Sequence, residues 1–571
     1  MGRELQRAFL WVIFLLGLFM LFDAWQVRNG NPSFFAQPEQ QQEQIAADSK
    51  NSQQSKDVAA VEANNAVASK VNTTIAEPVV VTTDLFKLTF DANGASVARA
   101  ELLKERETPD WKKRGVPSLI YGSEPEGYKP GNVVLFDTTD KHVYKAETGL
   151  LGGGFPTHRT QFTLASKDLT MKDGQDTLSV KFVAQAGGVE LVKTYTLQRG
   201  HYGIHVKHEV LNKGNVSINP SVYMQLVRDD NPAKSDSAFY NTFTGPVAYT
   251  DEEHYQKISF ASIADGDKEL PEVSTEGWIA MVQHYFLTAW VPTAEGQKRD
   301  LYTRQLDKHL FSIGSIVAMG EVAPGASKSI ESQLYVGPQD QRRLDMIAPN
   351  LDLVVDYGWL TFLAKPIYSL LAFLHSLVGN WGWAIVLLTC LVKAVLYPIS
   401  AAGYKSMARM REVAPRMKAL QEKYGNDKQA LNQAMVEFYR REKINPAGGC
   451  FPIMLQIPVF LALYWVLLAT VELRGSEWLL WVTDLASPDS YLILPLLMVV
   501  TMIVQMKLSP QPADPVQAKV MMVMPLVFGV MFFFFASGLV LYWLTNNILS
   551  IWQQWYVNKQ IEKEKQKRAI S

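Results

Sequence analysis

The feature that most constrains this chain is residues 381–400, WGWAIVLLTCLVKAVLYPIS, which carry one charge, on Lys393. Twenty mainly apolar residues are about what an α-helix needs to cross the roughly 30 Å hydrocarbon core of a membrane. A lysine near the middle of such a helix costs about 3 kcal/mol on insertion, so it marks a functional site by default. The helical period places Thr389 and Tyr397 on the same face as Lys393. We therefore expect a polar, positively charged niche inside a membrane domain.

The other apolar segments offer Lys393 no counter-ion. Four further spans are predicted, and none contains Asp or Glu: residues 451–470, 491–506, 520–535 and 538–557. At roughly 1.5 Å per residue, Lys393 lies about 13 Å from the cytoplasmic end of its helix, too deep for its ammonium to reach the interface easily. We therefore expect water to reach the lysine.

Polar side chains on the third and sixth spans could line the niche. They are Gln456, Thr545, Asn546 and Asn547. Each alone could instead be an interhelical hydrogen bond of about 0.6 kcal/mol. Together with the lysine they favour a hydrophilic niche. A proton pump would show intramembrane carboxylates or histidine relays, which these spans lack.

The charges flanking the apolar segments predict six spans with both termini in the cytoplasm. An apolar run, residues 8–22, follows Arg3 and Arg7, and no small-x-small motif follows it. We interpret it as an uncleaved anchor rather than a cleaved signal peptide. The loop at residues 401–445 holds ten Lys or Arg, whereas residues 472–489 hold one, and the C-terminal tail is basic. Positive charge concentrates on the cytoplasmic side of membrane proteins.

The basic loop at 401–445 also shows helical periodicity. Apolar residues recur every three or four positions before and after Gly425-Asn426-Asp427: Met410, Val413, Met417, Leu420 and Tyr424, then Leu431, Met435 and Phe438. This pattern predicts a cytoplasmic helical hairpin. Pro415 is expected to kink the first helix or mark its start. The ten charges fit topology alone, or contact with anionic lipid headgroups or ribosomal RNA.

A polar region without cysteine separates the anchor from the other spans. Short alternating runs such as VVVTTDLFKLTFD and VELVKTYTLQ, with turn residues between them, predict a large antiparallel β-sandwich outside the cytoplasm. On a strand, His201 and His205 would face away from His208, which disfavours a metal site. The net charge of −1 excludes a generally basic nucleic-acid binder.

The fold class we predict is multi-domain: a polytopic α-helical membrane core with six spans, including the anchor, and a periplasmic antiparallel β-sandwich. The expected units are an anchor (1–28), a disordered tether (29–78), the β-sandwich (79–340), connecting and interfacial amphipathic helices (341–380), a five-helix core (381–557) containing the hairpin, and a basic tail (558–571).

Several long motifs resemble the YidC membrane protein insertases of Gram-negative bacteria. They are DYGWL, GNWGWAIVLLTCLVKAVLYPIS, YKSMARMR, INPAGGCFPIMLQIPVFLALYWVL, VELR and SGLVLYWLTNN, and they occur in that family's order. The resemblance covers essentially the whole chain and is most specific over residues 356–557. It implies an inner-membrane insertase and chaperone, not an enzyme, with no catalytic residue, metal or cofactor.

The resemblance also implies a substrate groove, open to cytoplasm and lipid, with one cationic residue. That residue is Lys393, where the family more often has Arg. Thr389 and Gln456 match groove positions, and Trp543 replaces an aromatic residue that is often Tyr. Asn546 completes the predicted groove. The implied partners are nascent inner-membrane proteins, SecYEG, SecDF, membrane lipids, and the ribosome at the hairpin and tail.

Two other function classes remain open from the residues alone. Large β-sandwiches often bind sugars, so the chain could be a membrane-anchored, carbohydrate-active envelope enzyme or binding protein. A channel or transporter is a further alternative.

Overall fold

The structure, a computed structural model, describes residues 78–107, 131–139, 142–231, 242–267, 270–294, 296–424, 428–442, 451–508 and 515–570. The anchor predicted at 1–28 lies outside the described residues, as does the tether predicted at 29–78 except for its last residue. The described part of the chain forms two β-sheets followed by a set of helices.

The two sheets are built from antiparallel strands, numbered here in chain order. The first sheet follows the order β1-β2-β3-β6-β11-β18-β17-β14, with β4 on β3 and β5 on β6. Its strands are β1 (Val79–Thr82), β2 (Phe86–Asp91), β3 (Ser96–Arg106), β4 (Asn132–Val134), β5 (Asp137–Thr139), β6 (His142–Leu151), β11 (Ser221–Asp229), β14 (Val273–Ser274), β17 (Arg299–Asp307) and β18 (Leu310–Ala318).

The second sheet has nine strands in the order β13-β12-β15-β16-β19-β10-β9-β8-β7. They are β7 (Thr163–Leu164), β8 (Thr177–Ala186), β9 (Val189–Gln198), β10 (Gly203–Asn212), β12 (Gly245–Thr250), β13 (His254–Lys257), β15 (Trp278–Gln283), β16 (Phe286–Pro292) and β19 (Ser327–Pro338).

The period of two in the sequence decides which side chains enter the sandwich. In β8 the buried residues alternate with exposed ones, and in β9 Val189, Leu191, Tyr195 and Leu197 all face the core. Phe90 of the first sheet packs on the Tyr195 ring of the second at 4.8 Å between centroids. The predicted antiparallel β-sandwich is therefore confirmed.

The helices begin within the sandwich and continue to the C-terminal region. They are α1 (Phe260–Asp265), α2 (Gln341–Ile347), α3 (Thr361–Val378), α4 (Trp381–Val395), α5 (Tyr397–Tyr424), α6 (Lys428–Arg441), α7 (Phe451–Ala469), α8 (Ile493–Leu508), α9 (Pro515–Phe532) and α10 (Ser537–Ile570). Helix α2 follows the last strand of the sandwich, and the Asp340 carboxylate caps its N-terminus. Helix α10 packs against α4, α5 and α8.

Residues 381–400 do not form the single straight helix that we predicted. Helix α4 ends at Val395, α5 begins at Tyr397, and the two are bent by 67°. Pro398 accounts for the bend, because it has no N–H to donate to the Ala394 carbonyl and lies in the first turn of the new helix. The prediction that Tyr397 shares a helical face with Lys393 is therefore wrong, because the bend lies between them.

The described residues do not confirm six spans. Among them, Thr361–Val378 alone is a single helix long and apolar enough to cross a membrane, and the bent pair Trp381–Val395 and Tyr397–Met417 passes the same test together. Shorter apolar helices are Gln456–Ala469, Ile493–Leu508 and Met522–Phe532. The interfacial placement of residues 341–380 stays a prediction, as do the other domain boundaries.

The predicted helical hairpin is present as α5 and α6. Val413 and Met417 are buried there against Met410, Met435, Phe438 and Tyr439. Pro415 lies well inside α5, so it does not mark the start of that helix. Helix α10 continues through the predicted basic tail to Ile570.

Candidate functional site

Lys393 lies in the last turn of α4 with its side chain directed into the helical core. The residue is 5% exposed. Its ammonium donates to the Ser550 hydroxyl at 2.7 Å and to the Gln456 side-chain oxygen at 3.4 Å. Among the described residues no carboxylate lies within ion-pair distance of this ammonium. The protein thus holds a buried cation with neutral partners.

Asn546 connects the two partners of the lysine. Its side-chain oxygen accepts a hydrogen bond from the Gln456 amide, and its backbone carbonyl accepts one from the Ser550 hydroxyl at 2.7 Å. Helices α4, α7 and α10 therefore meet in one polar network. Three of the five predicted groove residues, Lys393, Gln456 and Asn546, belong to it.

Thr389 and Trp543 lie outside this hydrogen-bonded network. The Thr389 hydroxyl is buried and donates to the Ile385 carbonyl one turn earlier, at 2.7 Å. The Trp543 ring packs on Phe460 at 4.5 Å and on Phe532 at 5.2 Å between centroids. Thr389 thus binds its own helix, and Trp543 belongs to an aromatic cluster beside the polar residues.

Two members of the network were missed by the sequence reasoning. They are Ser550, which accepts from the ammonium, and Gln553, whose amide donates to the Lys393 backbone carbonyl at 3.3 Å. The available signal was their spacing, because Asn546, Ser550 and Gln553 follow one another at four and three residues and so share a helical face. Both residues lie in the second half of the span predicted at 538–557.

The arrangement can bind an anionic or strongly polar group. An ammonium has three N–H donors, and the contacts in the described part of the chain occupy two of them. The third can donate to an incoming group, and a carboxylate would gain most because charge-assisted hydrogen bonds are the strong ones.

The histidines of the sandwich show no such assembly. His205 is exposed on β10, whereas His208 is buried and contacts the Thr148 hydroxyl at 2.9 Å, so the two face opposite sides as expected. Within the described ranges no three His, Cys, Asp or Glu side chains are grouped to hold a metal ion.

A β-sandwich followed by mainly apolar helices, at least one of them long and apolar enough to cross a membrane, fits the class of membrane proteins with a large extramembrane domain. Residues 78–370 match the family model described as the YidC periplasmic domain, and residues 373–565 match that of the 60Kd inner membrane protein. The chain belongs to the YidC family of membrane protein insertases.

Two relatives named membrane protein insertase YidC show the extent of the match. The Bordetella avium protein is 48% identical over 594 residues, covering 99% of this chain and 100% of the relative. The Cupriavidus necator protein is 47% identical over 570 residues, covering 98% and 99%. A crystal structure of an active YidC insertase with its first transmembrane domain resolved matches at 19% identity and a TM-score of 0.39, covering 84% of this chain and 92% of that one.

These relatives confirm the resemblance drawn from the sequence motifs. The family is one of inner-membrane insertases rather than enzymes. The alternative of a carbohydrate-active envelope protein finds no support in them.

Proposed function

We propose that this chain inserts proteins into the bacterial inner membrane and helps them fold, by receiving their polar ends at the Lys393 network. The observation that carries this proposal is a buried ammonium whose described partners are all neutral. A buried charge without a counter-ion is costly, and such residues inside membrane segments usually have a functional role. A passing carboxylate would supply the missing counter-ion.

The proposed path begins in a groove open to the cytoplasm and to lipid but closed to the periplasm. Water in the groove shortens the barrier that the polar end of a substrate must cross. An acidic end pairs transiently with Lys393 while the apolar segment moves along α7 and α9 into lipid. Both helices expose apolar side chains suited to this: Met454 and Ile457 on α7, and Met522, Val523, Leu526, Val527, Val530 and Met531 on α9.

The proposed topology has six spans, both termini in the cytoplasm and the sandwich in the periplasm. Exposed Arg411, Arg416 and Arg440 on the hairpin would then face anionic lipid headgroups or ribosomal RNA, as would the end of α10. Nascent inner-membrane proteins are the substrates, reaching the groove directly or through SecYEG, with SecDF contacting the sandwich.

Site-specific photocrosslinking tests whether substrates enter this groove. A crosslinker placed at Lys393, Gln456 or Trp543 should capture a nascent single-span protein. The matched controls are Leu497 and Val504, which are exposed on α8. Crosslinks no stronger at the groove positions than at the controls would contradict the proposed path.

Replacing the charge tests its role directly. Lys393→Ala should slow the insertion of a substrate with an acidic translocated tail about tenfold, because a hydrogen bond to a charged group contributes about 1.5–3 kcal/mol. The rate is measured with the full-length protein in proteoliposomes by protease protection of the inserted tail. Lys507→Ala, which removes an exposed lysine from α8, is the control and should insert normally. Equal rates for Lys393→Ala and wild type would remove the charge from the mechanism.

A further inference from the structure

Helix α10 holds Lys393 at two points that lie one turn apart on the same face. Ser550 accepts from the side-chain ammonium at 2.7 Å, and Gln553 donates to the backbone carbonyl at 3.3 Å. Ser550 and Gln553 are 3% and 4% exposed. Helix α10 therefore contacts both the side-chain ammonium and the backbone carbonyl of Lys393.

The contact from Ser550 gives the ammonium a defined position. A lysine side chain is a compact charge on a flexible four-carbon stem, so its ammonium needs partners to stay in one place. Ser550 is itself held, because its hydroxyl donates to the Asn546 carbonyl at 2.7 Å. With Ser550 and Gln456 fixed, the remaining N–H has a defined direction.

The contact from Gln553 lies at the bend between α4 and α5. The last carbonyls of a helix lose their intrahelical partners and need other donors. The Gln553 amide is such a donor for Lys393, three residues before the helix is interrupted. It therefore holds the end of α4 where the lysine is attached.

A buried glutamine at position 553 would lower stability if its side chain only filled space. Its side-chain oxygen is buried without a hydrogen-bond partner in the described part of the chain. Each buried unsatisfied polar group calls for an explanation, since an apolar side chain would avoid that cost. The described hydrogen bond of the Gln553 side chain goes to the Lys393 carbonyl, so holding this carbonyl explains why the glutamine is there.

We propose that Ser550 and Gln553 are positioning residues, which hold the Lys393 ammonium so that it can meet an acidic substrate tail. This inference rests on the proposed function. It assigns the two residues an effect on selectivity for acidic tails, exerted through Lys393, and no direct contact with substrate.

The chain supplies a matched control in the next residue. Gln554 is the same residue type on the same helix and is 3% exposed. Its amide donates to the Leu508 carbonyl at the end of α8, at 2.9 Å, instead of to α4. Gln554→Ala therefore removes an equivalent buried amide without touching Lys393.

The test compares two substrates that differ only in their translocated tails, one acidic and one neutral. The full-length protein is reconstituted in liposomes, and both insertion rates are measured by protease protection. The ratio compared is the rate for the acidic tail divided by the rate for the neutral tail. Ser550→Ala and Gln553→Ala should each lower the ratio about three- to tenfold, as expected for a lost hydrogen bond to a buried group. Ser550→Thr keeps the hydroxyl and should keep the ratio, and Gln554→Ala should leave it unchanged.

The outcomes separate this inference from the proposed function. A loss of folding or packing slows both substrates alike and leaves the ratio unchanged, so unchanged ratios in Ser550→Ala and Gln553→Ala overturn the positioning role. An equal fall in Gln554→Ala also overturns it. If the wild-type ratio is one and Lys393→Ala does not alter it, the proposed role of the charge fails instead.

Discussion

Two fully or nearly fully buried lysines, Lys193 in the β-sandwich and Lys393 in the helical core, are held in different ways. The Lys193 ammonium donates to two backbone carbonyls, of Gly94 at 2.6 Å and Thr148 at 2.7 Å, and lies 4.8 Å from the centre of the Phe162 ring. In the described hydrogen bonds of the Lys393 ammonium, both acceptors are side-chain oxygens.

The difference separates a structural cation from one available to a ligand. The two carbonyls belong to the turn between β2 and β3 and to strand β6 of the first sheet, so Lys193 on β9 is held across the sandwich and exposes 0% of its surface. The Lys393 ammonium is held by a serine hydroxyl and a glutamine side-chain oxygen, which leave its third N–H for a carboxylate, and no described carboxylate lies within ion-pair distance of it. Glu147, in contrast, lies near enough to Lys193 to favour the charged form of that lysine. Burial alone does not identify a functional charge, because the neighbouring charges matter as well.

The strongest test makes the same substitution at both lysines. Lys193→Met should lower the free energy of unfolding by about 2–4 kcal/mol, because two buried carbonyls lose their donor. For a domain of this size that corresponds to about 5–15 °C in melting temperature. Lys393→Met should leave the melting temperature unchanged or raised, since a buried charge is replaced by an apolar side chain of similar volume.

Differential scanning fluorimetry of the full-length protein in detergent measures both effects. Insertion per folded molecule supplies the second readout, which should fall for Lys393→Met and stay normal for Lys193→Met. If Lys393→Met destabilised the protein as much as Lys193→Met, the distinction between the two lysines would be lost.

A smaller effect follows from the titration of Lys193. Burial lowers the pKa of Lys193 from 10.5 to about 7, although the nearby Glu147 acts to raise it. Between these values the unfolded chain binds more protons than the folded one, so stability rises with pH from about 7 to about 10.5. One proton is worth at most about 3–5 °C of melting temperature per pH unit in a domain of this size.

Melting curves between pH 7 and pH 9.5 should therefore show a positive slope that Lys193→Met reduces. Glu147 does not titrate in this window, because His158 and Lys145 overcome the effect of burial and lower its pKa to about 2. A slope that is the same in wild type and Lys193→Met would mean that Lys193 keeps its proton throughout.

The smallest expected effect compares a tryptophan from each region. Trp290 is buried in the sandwich and its indole N–H donates to the Gln225 carbonyl at 3.3 Å, whereas Trp543 packs on two phenylalanine rings. Trp290→Phe should cost about 1 kcal/mol, or about 2–4 °C, through the lost hydrogen bond. Trp543→Phe should change insertion less than about twofold, because ring stacking is retained. A tenfold loss in Trp543→Phe would instead indicate an indole contact with substrate.

Much of the fold could be predicted because its patterns are local. The alternation in VELVKTYTLQ predicted strand β9, and the spacing of Val413, Met417 and Met435 predicted the hairpin seam. Lys193 lies on the inward face of that strand, but a single lysine among valines and leucines does not reveal that its ammonium donates to the Gly94 and Thr148 carbonyls. Thr148 lies on a strand of the other sheet and Gly94 in the turn between β2 and β3, so no local pattern encodes these partners.

The helical core shows the same limit. The sequence by itself determined that Lys393 lies in an apolar helix without a carboxylate nearby, because residue type and spacing suffice for that. Tertiary structure alone decided that Thr389 and Trp543 stay outside the polar network and that Ser550 and Gln553 enter it. The physical reason is that a hydrogen-bond partner is selected by the position of another helix, more than 150 residues away in the chain for Ser550.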